Sequence, residues 1–245
     1  MPQGSFGEVR AFNDFGGAMG DITWAAGQVD LGGCVGMVSV NEGTINGLSG
    51  ESGGVVQFLT DTADDDNICL LAGPFDPSKG PLTCEYRFKV SGAVARSAIF
   101  AGFSETMALG TPVMPAEFTT ATMAYNGSGG LLGMVWDPDA STNKWKAVCG
   151  DGGAVSGSAN YGANGTDAAE AAVNDEFDLV RVNLYPSGFA EVWHEEELVA
   201  SGQTGLTATD LVYAILMCEN RNTDTSAQIL EVDYFYASGV RDWTV

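Results

Sequence analysis

Positive charge is scarce in this sequence. Only 10 lysine and arginine residues stand against 32 acidic residues, and the formal net charge is −22. Nucleic-acid binding needs clustered basic side chains that displace counterions from phosphates, and anionic membranes also attract basic surfaces. We therefore expect neither nucleic acid nor a membrane as a partner. The acidity instead indicates solubility, adaptation to a salty medium, or dedicated cation binding.

Paired cysteine motifs are also missing. The five cysteines, Cys34, Cys69, Cys84, Cys149 and Cys218, form no CxxC motif. An odd number without paired spacing argues against a disulfide framework, and a free cysteine often packs as a small apolar side chain. This usage is typical of a protein made in a reducing cytoplasm.

Signals for export and for membrane insertion are absent from the printed sequence. The first residues contain no basic segment followed by an apolar one, so we predict no signal peptide. No window approaches about 18 uninterrupted apolar residues, so we predict no membrane-spanning helix.

Long helical patterns are lacking too, and the apolar residues follow a period of two. Residues 177–185 alternate between two faces, 186–188 (Pro-Ser-Gly) break the run, and 189–193 restart it. Such alternation around a proline–glycine turn is typical of a β-hairpin. An acidic turn at 195–197 then leads into 198–200. We expect a three-stranded antiparallel meander.

Similar runs predict strands along the rest of the chain. In residues 82–90 the apolar phase alternates with Thr83, Glu85, Arg87 and Lys89, and we expect 96–103 to be the partner strand. The other predicted strands are 35–40, 55–60, 68–72, 119–125, 131–136, 144–149, 211–218 and 229–237.

The sequence predicts the local structure of three further segments. Residues 73–81, which are rich in proline and glycine, are predicted to form a loop. The strands 119–125 and 131–136 are expected to pair across a glycine-rich turn. Residues 167–173 (DAAEAAV) are the best candidate for a short helix.

The pattern as a whole predicts an all-β fold, an antiparallel two-sheet β-sandwich of the jelly-roll type. Hydrophobic residues make up 45% of the chain, enough for a large core, and no shift in composition marks a second domain. We expect an irregular, extended N-terminal arm over residues 1–33 and a single β-sandwich domain over 34–245. Trp243 in the tail should be covered by the core or by a partner.

The single histidine, His194, precedes three glutamates. This HEEEL segment lacks the second histidine of HExxH, and a metal site needs several convergent ligands. We therefore interpret His194 as the cap of an exposed strand end.

Carboxylate pairs suitable for glycoside hydrolysis are incomplete. Sandwich glycosidases place an E-x-D-x-x-E pattern on one strand so that alternate acids reach a groove. Glu231 and Asp233 supply half of this pattern, but Tyr236 stands where the last glutamate would be. We predict that the protein is not an enzyme, and we assign no catalytic residues.

Two acidic loops, Asp61–Asn67 and Asp137–Asn143, are candidates for Ca²⁺ binding because Ca²⁺ takes several oxygen ligands. Asp137, Asp139 and Asn143 have the spacing of a short oxygen-ligand loop, but the glycine and the terminal glutamate of an EF-hand are absent. Solvated turns are the preferred interpretation, and we predict no metal and no cofactor.

The tryptophans leave two interpretations open. Trp136, Trp145 and Trp193 lie on or next to predicted strands. An exposed aromatic row would stack on sugar rings, whereas a buried row belongs to the core, which is the default expectation.

Three stretches resemble a known family when they are taken together: GLLGMVWDPDASTNKWKAV (130–148), FDLVRVNLYPSGFAEVWHEEELVASG (177–202) and LEVDYFYAS (230–238). They are similar to the strands of concanavalin A-like and laminin G-like sandwiches. In combination they resemble such sandwiches on the virions of tailed bacteriophages. The resemblance covers about residues 80–240.

This resemblance implies a capsid decoration or cement protein on the virion surface, synthesised in the host cytoplasm. It would bind the major capsid protein through its arm and a sandwich edge, as a trimer or dimer. Deleting residues 1–33 should then abolish particle binding and leave the sandwich folded. The alternative is a carbohydrate-binding, lectin-like module, either on a virion or secreted. It would carry an exposed aromatic pair in a groove, and Ca²⁺-dependent binding is one form of this alternative.

Overall fold

The computed structural model describes residues 8–15, 24–25, 27–38, 43–47, 54–105, 107, 113–119, 122–126, 129–151, 154–155, 161–206, 211–221 and 226–240. In these ranges the chain forms strands and two short 3-10 turns, Pro77–Lys79 and Val94–Arg96. No helix in the described part of the chain is long and apolar enough to cross a membrane.

The strands are β1 (Glu8–Asn13), β2 (Trp24–Ala25), β3 (Gly27–Asp30), β4 (Val35–Val38), β5 (Gly43–Gly47), β6 (Val56–Thr60), β7 (Asn67–Phe75), β8 (Leu82–Ser91), β9 (Ser97–Ser104), β10 (Ala116–Thr119), β11 (Thr122–Tyr125), β12 (Leu131–Trp136), β13 (Lys146–Asp151), β14 (Ala154–Val155), β15 (Thr166–Asp167), β16 (Asp178–Leu184), β17 (Phe189–His194), β18 (Glu197–Gln203), β19 (Val212–Asn220) and β20 (Ile229–Val240).

Two large antiparallel sheets contain most of these strands. Among the described residues, sheet A has the order β18-β17-β16-β8-β20-β6-β5-β2, with β1 also paired to β20. Sheet B has the order β14-β13-β12-β9-β19-β7-β4-β3, with β15 paired to β13. The prediction of an all-β, antiparallel two-sheet sandwich is confirmed.

The predicted meander is confirmed as β16, β17 and β18, which lie side by side at one edge of sheet A. Its first turn follows the proline–glycine chemistry of the sequence, since Gly188 has a φ of +79° that most other residues avoid. Strand β8 pairs with β16 and β20, so residues 82–90 and the predicted partner 96–103 lie in different sheets.

The core fills the space between the sheets because inward-facing positions of both sheets are apolar. Strands β8 and β16 alternate strictly between buried and half-buried residues. The largest buried side chains there include Tyr86, Phe88, Trp145 and Phe235. Tyr86 donates a hydrogen bond from its hydroxyl to the carbonyl of Gly102, at 3.1 Å, and so joins sheet A to sheet B.

The outer faces of the two sheets differ. On sheet B the outer side chains form a second apolar cluster, which includes Phe100 and Met217 and is covered by Met114 and by Phe118 of the β10–β11 hairpin. On sheet A the outward positions of β8, β16 and β17 are half-buried. Sheet A therefore presents the more accessible polar face.

Three predictions about local structure are wrong. Residues 167–173 form no helix: Asp167 ends β15, and Ala168 and Ala172 are buried in the core. Strand β7 continues through the cis Gly73–Pro74 bond to Phe75, so the predicted loop 73–81 begins as strand. Residues 119–125 are not one strand paired with 131–136, because β11 pairs with β10 whereas β12 pairs with β9 and β13.

The predicted irregular arm contains strands in the parts that the structure describes. Strand β1 pairs with β20 in sheet A, and β3 pairs with β4 in sheet B. The division of the chain at residue 33 stays a prediction, and Trp243 lies outside the described residues. All five cysteines are free and buried, as expected of small apolar side chains.

Candidate functional site

The outer face of sheet A gathers polar and aromatic side chains from four adjacent strands. Because side chains alternate along a strand, the apolar phase of β8, β16, β17 and β20 faces the core and the polar phase faces outward. We call this surface the platform. It comprises Thr83, Glu85, Arg87, Lys89, Arg181, Asn183, Tyr185, Glu191, Trp193, Glu231, Asp233 and Tyr234.

Ion pairs join neighbouring strands of the platform. They connect Arg181 to Glu85 (3.8 Å between Nη1 and Oε2), Lys89 to Glu231 (2.9 Å between Nζ and Oε2) and Arg87 to Asp233. The platform thus holds three cationic and four anionic side chains, including Glu191, in a molecule of net charge −22. Its own charge is almost balanced.

A bulge in β20 sets the position of the tyrosine on the platform. The register shifts between Val232 and Tyr234, so Asp233 and Tyr234 both reach side chains of β8. The hydroxyl of Tyr234 donates to Oε1 of Glu85 at 2.6 Å. Burial and the Glu85 carboxylate raise the pKa of Tyr234, so this hydroxyl remains a hydrogen-bond donor at neutral pH.

A second polar chain lies beside the first. Thr83 Oγ1 donates to Asn183 Oδ1 at 3.0 Å, and Asn183 Nδ2 donates to Glu191 Oε2 at 3.1 Å. Tyr185 donates from its hydroxyl to the same Glu191 oxygen at 3.1 Å. These bonds link hydroxyl, amide and carboxylate groups in one network across the platform.

Aromatic rings and guanidinium groups stack on this face. The Arg181 guanidinium lies 5.0 Å from the Trp193 ring centroid, and that of Arg87 lies 4.0 Å from the Phe177 centroid. The indole Nε1 of Trp193 and Nε of Arg181 are donors with no hydrogen-bond partner. The platform therefore combines flat ring surfaces with fixed donors and acceptors, while the two unpartnered donor atoms are themselves buried.

The residues of the half-complete glycosidase pattern lie on this face, but each carboxylate is paired with a cation. Glu231 also accepts a hydrogen bond from Gln57 Nε2 at 3.2 Å, and Asp233 binds Arg87. Tyr236, which stands in place of the last glutamate, is half-buried opposite Glu85. The arrangement contains no acid–nucleophile pair among these three residues.

His194 is not at an exposed strand end, so that interpretation is wrong. Its side chain is 3% exposed and faces the core at the end of β17. Nε2 of His194 lies 2.9 Å from Asp178 Oδ1, and the Trp145 ring packs 5.7 Å from the imidazole. The local sequence gives no hint of this pairing, because Asp178 belongs to the neighbouring strand.

The two acidic loops meet at one arginine. Arg221 lies 3.0 Å from Glu117 Oε2 and Asp137 Oδ2, 3.5 Å from Glu219 Oε1, and 3.6 Å from Asp65 Oδ1. Burial, with added repulsion from the other carboxylates, raises the pKa of Glu219 to about 8, although Arg221 opposes the shift. The guanidinium thus occupies the centre of this carboxylate cluster.

Asp137 is a buried structural residue rather than part of a solvated turn. Its Oδ2 accepts the backbone N–H of Phe118 at 2.7 Å as well as the Arg221 bond, and its Oδ1 accepts the N–H of Asp139 at 2.9 Å. Asp139 and Asn143 are exposed. The carboxylate of Asp137 therefore has little capacity left for Ca²⁺.

The tryptophans divide between the core and the platform. Trp136 and Trp145 are buried, which confirms the default expectation for them. Trp193 faces outward and is half-buried. The alternation of residues 82–90 and 177–185 predicts which phase faces outward, but Glu85, Arg181 and Tyr234 carry no motif that marks them as a site.

Solved structures share the fold of this chain at low sequence identity. No protein-family model matches this sequence, and no curated protein matches it. An endo-acting O-glycanase structure from the human gut microbiota has a TM-score of 0.55 and 12% identity over 94% of this chain and 98% of that chain. Peanut lectin has a TM-score of 0.54 and 11% identity over 94% and 97%.

The carbohydrate recognition domain of Emp47p has a TM-score of 0.52 and 12% identity over 79% of this chain and 86% of that domain. These likenesses show a shared fold, the concanavalin A-like, legume-lectin-like β-sandwich. The predicted fold class, an antiparallel two-sheet β-sandwich of the concanavalin A-like type, is therefore confirmed. Because identities are this low, the likeness shows nothing about function.

Proposed function

We propose that this protein is a carbohydrate-binding module that holds a neutral glycan on the platform of sheet A. The observation that carries the proposal is the combination of half-buried aromatic rings with a charge-balanced network of fixed donors and acceptors on one sheet face. The lectin and the carbohydrate recognition domain of the same fold support it.

The chemistry of sugars suits this surface. A pyranose ring offers apolar C–H faces, which pack on aromatic rings, and hydroxyl pairs, which both donate and accept hydrogen bonds. Trp193 supplies a half-buried ring, and Glu85 supplies an acceptor already oriented by Tyr234. Ligand sites commonly combine such apolar surfaces with a few placed polar groups.

Charge favours a neutral ligand. The molecule carries a net charge of −22, which repels acidic sugars at long range. The platform cations are matched by carboxylates and offer no excess positive charge to bind a sulfate or a carboxylate. The ligand class is therefore a neutral oligosaccharide.

A glycan array tests this proposal. We expect binding to neutral oligosaccharides of glucose, mannose or galactose and none to sialylated or sulfated glycans, with and without Ca²⁺. Trp193→Ala should weaken the strongest binding about tenfold or more, because it removes the ring on which the apolar face of the sugar packs. Leu211→Ala, an exposed substitution directly before β19 of sheet B, is the control and should bind like the parent protein.

A silent array, or equal binding by the Trp193 variant, would refute the proposal. The predicted capsid role, the major capsid protein as partner, the trimer or dimer and the virion location stay predictions. None of the three structures described above is a virion protein. The predicted lack of enzymatic activity also stays a prediction, because one similar structure is an O-glycanase.

A further inference from the structure

A second cluster lies at one end of β16 and β17, on the core-facing side of strands that carry the platform. Asp178 begins β16 and His194 ends β17, and both side chains face the core, with exposures of 8% and 3%. Asp178 Oδ1 lies 2.9 Å from His194 Nε2 and accepts the indole N–H of Trp145 at 2.9 Å. The two strands and the Trp145 ring, which packs against the imidazole, hold the pair in place.

A third potential ligand comes from the turn after β17. Glu195 has a φ of +49°, and its Oε1 accepts the backbone N–H of Leu179 at 2.6 Å. One ligand atom from each of Asp178, His194 and Glu195 lies within 4.8 Å of the others. Glu195 is exposed, so the cluster can be reached from solvent on the turn side.

The surroundings of the cluster are acidic. Glu196 in the same turn and Glu197 at the start of β18 are exposed. The polar partners of Asp178 are the His194 imidazole and the Trp145 indole. An added cation would therefore be stabilised here.

We propose that Asp178, His194 and Glu195 bind one Zn²⁺ ion per chain, with water completing the coordination. Zinc accepts imidazole nitrogen together with carboxylate oxygen, and three protein ligands leave a position for water. Neighbouring ligands of a tetrahedral zinc ion are roughly 3.3 Å apart for bonds of about 2.0–2.1 Å. The observed 2.9 Å between Asp178 and His194 needs only a small expansion.

Zinc would replace the proton that lies between the two side chains. The imidazole must coordinate through a deprotonated Nε2, so its remaining proton moves to Nδ1 and binding releases any second proton. Trp145 would act as the outer partner that orients the Asp178 carboxylate. The missing second histidine of the HEEEL segment is thus replaced by a carboxylate from the adjacent strand.

Calorimetric titration of the metal-free full chain with ZnCl₂ tests the proposal. We expect one zinc site per chain. Glu195→Gln and His194→Ala should each lower the zinc affinity by about 100-fold or more. Loss of a residue that only hydrogen-bonds to a metal ligand typically lowers the affinity by about 10–100-fold. Glu197→Gln, an exposed change at the start of β18, is the matched control and should bind like the parent protein. CaCl₂ should give no binding at this site.

Glu195→Gln keeps the proposal testable if the His194 variant fails to fold, because a glutamine oxygen can still accept the Leu179 N–H. Since the chain has one histidine, its imidazole nitrogen signals in NMR belong to His194 without further assignment. Zinc should shift the Nε2 signal strongly. Absence of one-to-one binding, or parental affinity in Glu195→Gln, would show that Asp178 and His194 form only a structural pair.

Discussion

Glu219 makes the stability of this protein depend on pH. Its side chain is 3% exposed, and burial raises its pKa to about 8 from an ordinary value of 4.5. A raised pKa means that the folded state binds the proton more tightly than the unfolded chain. This stabilisation is complete below about pH 4.5 and is lost as the pH rises through about 8.

We predict that the contribution of Glu219 to the free energy of unfolding falls by up to about 5 kcal/mol as the pH rises from about 4.5 to about 8. Urea unfolding at pH 5 and pH 8.5 measures the change. Glu219→Gln keeps the size of the side chain and cannot titrate, so its unfolding free energy should fall less than that of the parent protein. If both proteins show the same pH dependence, Glu219 is not the titrating group.

Single residues show where local sequence is informative. The period of two assigns Glu85 and Arg181 to an outward phase, because each strand has one apolar face. It does not reveal that these two residues face each other, since β8 and β16 are about 90 residues apart along the chain. The partner of His194 is hidden for the same reason, because it depends on the register of a neighbouring strand.

Strand β1 is an integral part of sheet A. It pairs with β20 over Glu8–Asn13, and Ala11 and Phe15 lie in the core with exposures of 7% and 4%. The expectation that the sandwich stays folded after deletion of residues 1–33 therefore conflicts with the structure. Removing the segment exposes apolar surface of the core and an unpaired edge of β20.

We predict that Phe15→Ala lowers the free energy of unfolding by about 3 kcal/mol or more, in the range of large-to-small core substitutions. Thermal or urea unfolding monitored by circular dichroism measures it. Phe12→Ala is the control, because Phe12 is 56% exposed and should matter little to stability. Equal effects of the two substitutions would show that Phe15, just after β1, is not packed on the core.

The failed helix prediction shows the limit of local propensity. Residues 167–173 have the composition of a helix, but Asp167 forms an ion pair with Lys146 on β13, and Ala168 and Ala172 fill the core. Tertiary contacts outweigh the small helix preference of alanine over so short a segment. The meander was predictable because its three strands are consecutive and joined by short turns.

At the scale of the molecule, the two-sheet architecture follows from a chain of alternating strands with few helical patterns. The order of strands in each sheet does not follow from this pattern, because β8 lies between β16 and β20, which are distant from it in the sequence. The same limit applies to the platform, which is assembled from strands distant in sequence. Composition indicates a surplus of negative charge, but only the fold shows that one face is nearly balanced.

The NMR signal of the Trp193 indole N–H tests the central claim of glycan binding most directly. On titration with the strongest oligosaccharide from the array, we predict that this signal, assigned with Trp193→Phe, shifts and saturates. The signals of the buried Trp136 and Trp145 should stay in place. Saturable glycan binding that leaves the Trp193 signal unchanged would contradict the assignment of the site to sheet A.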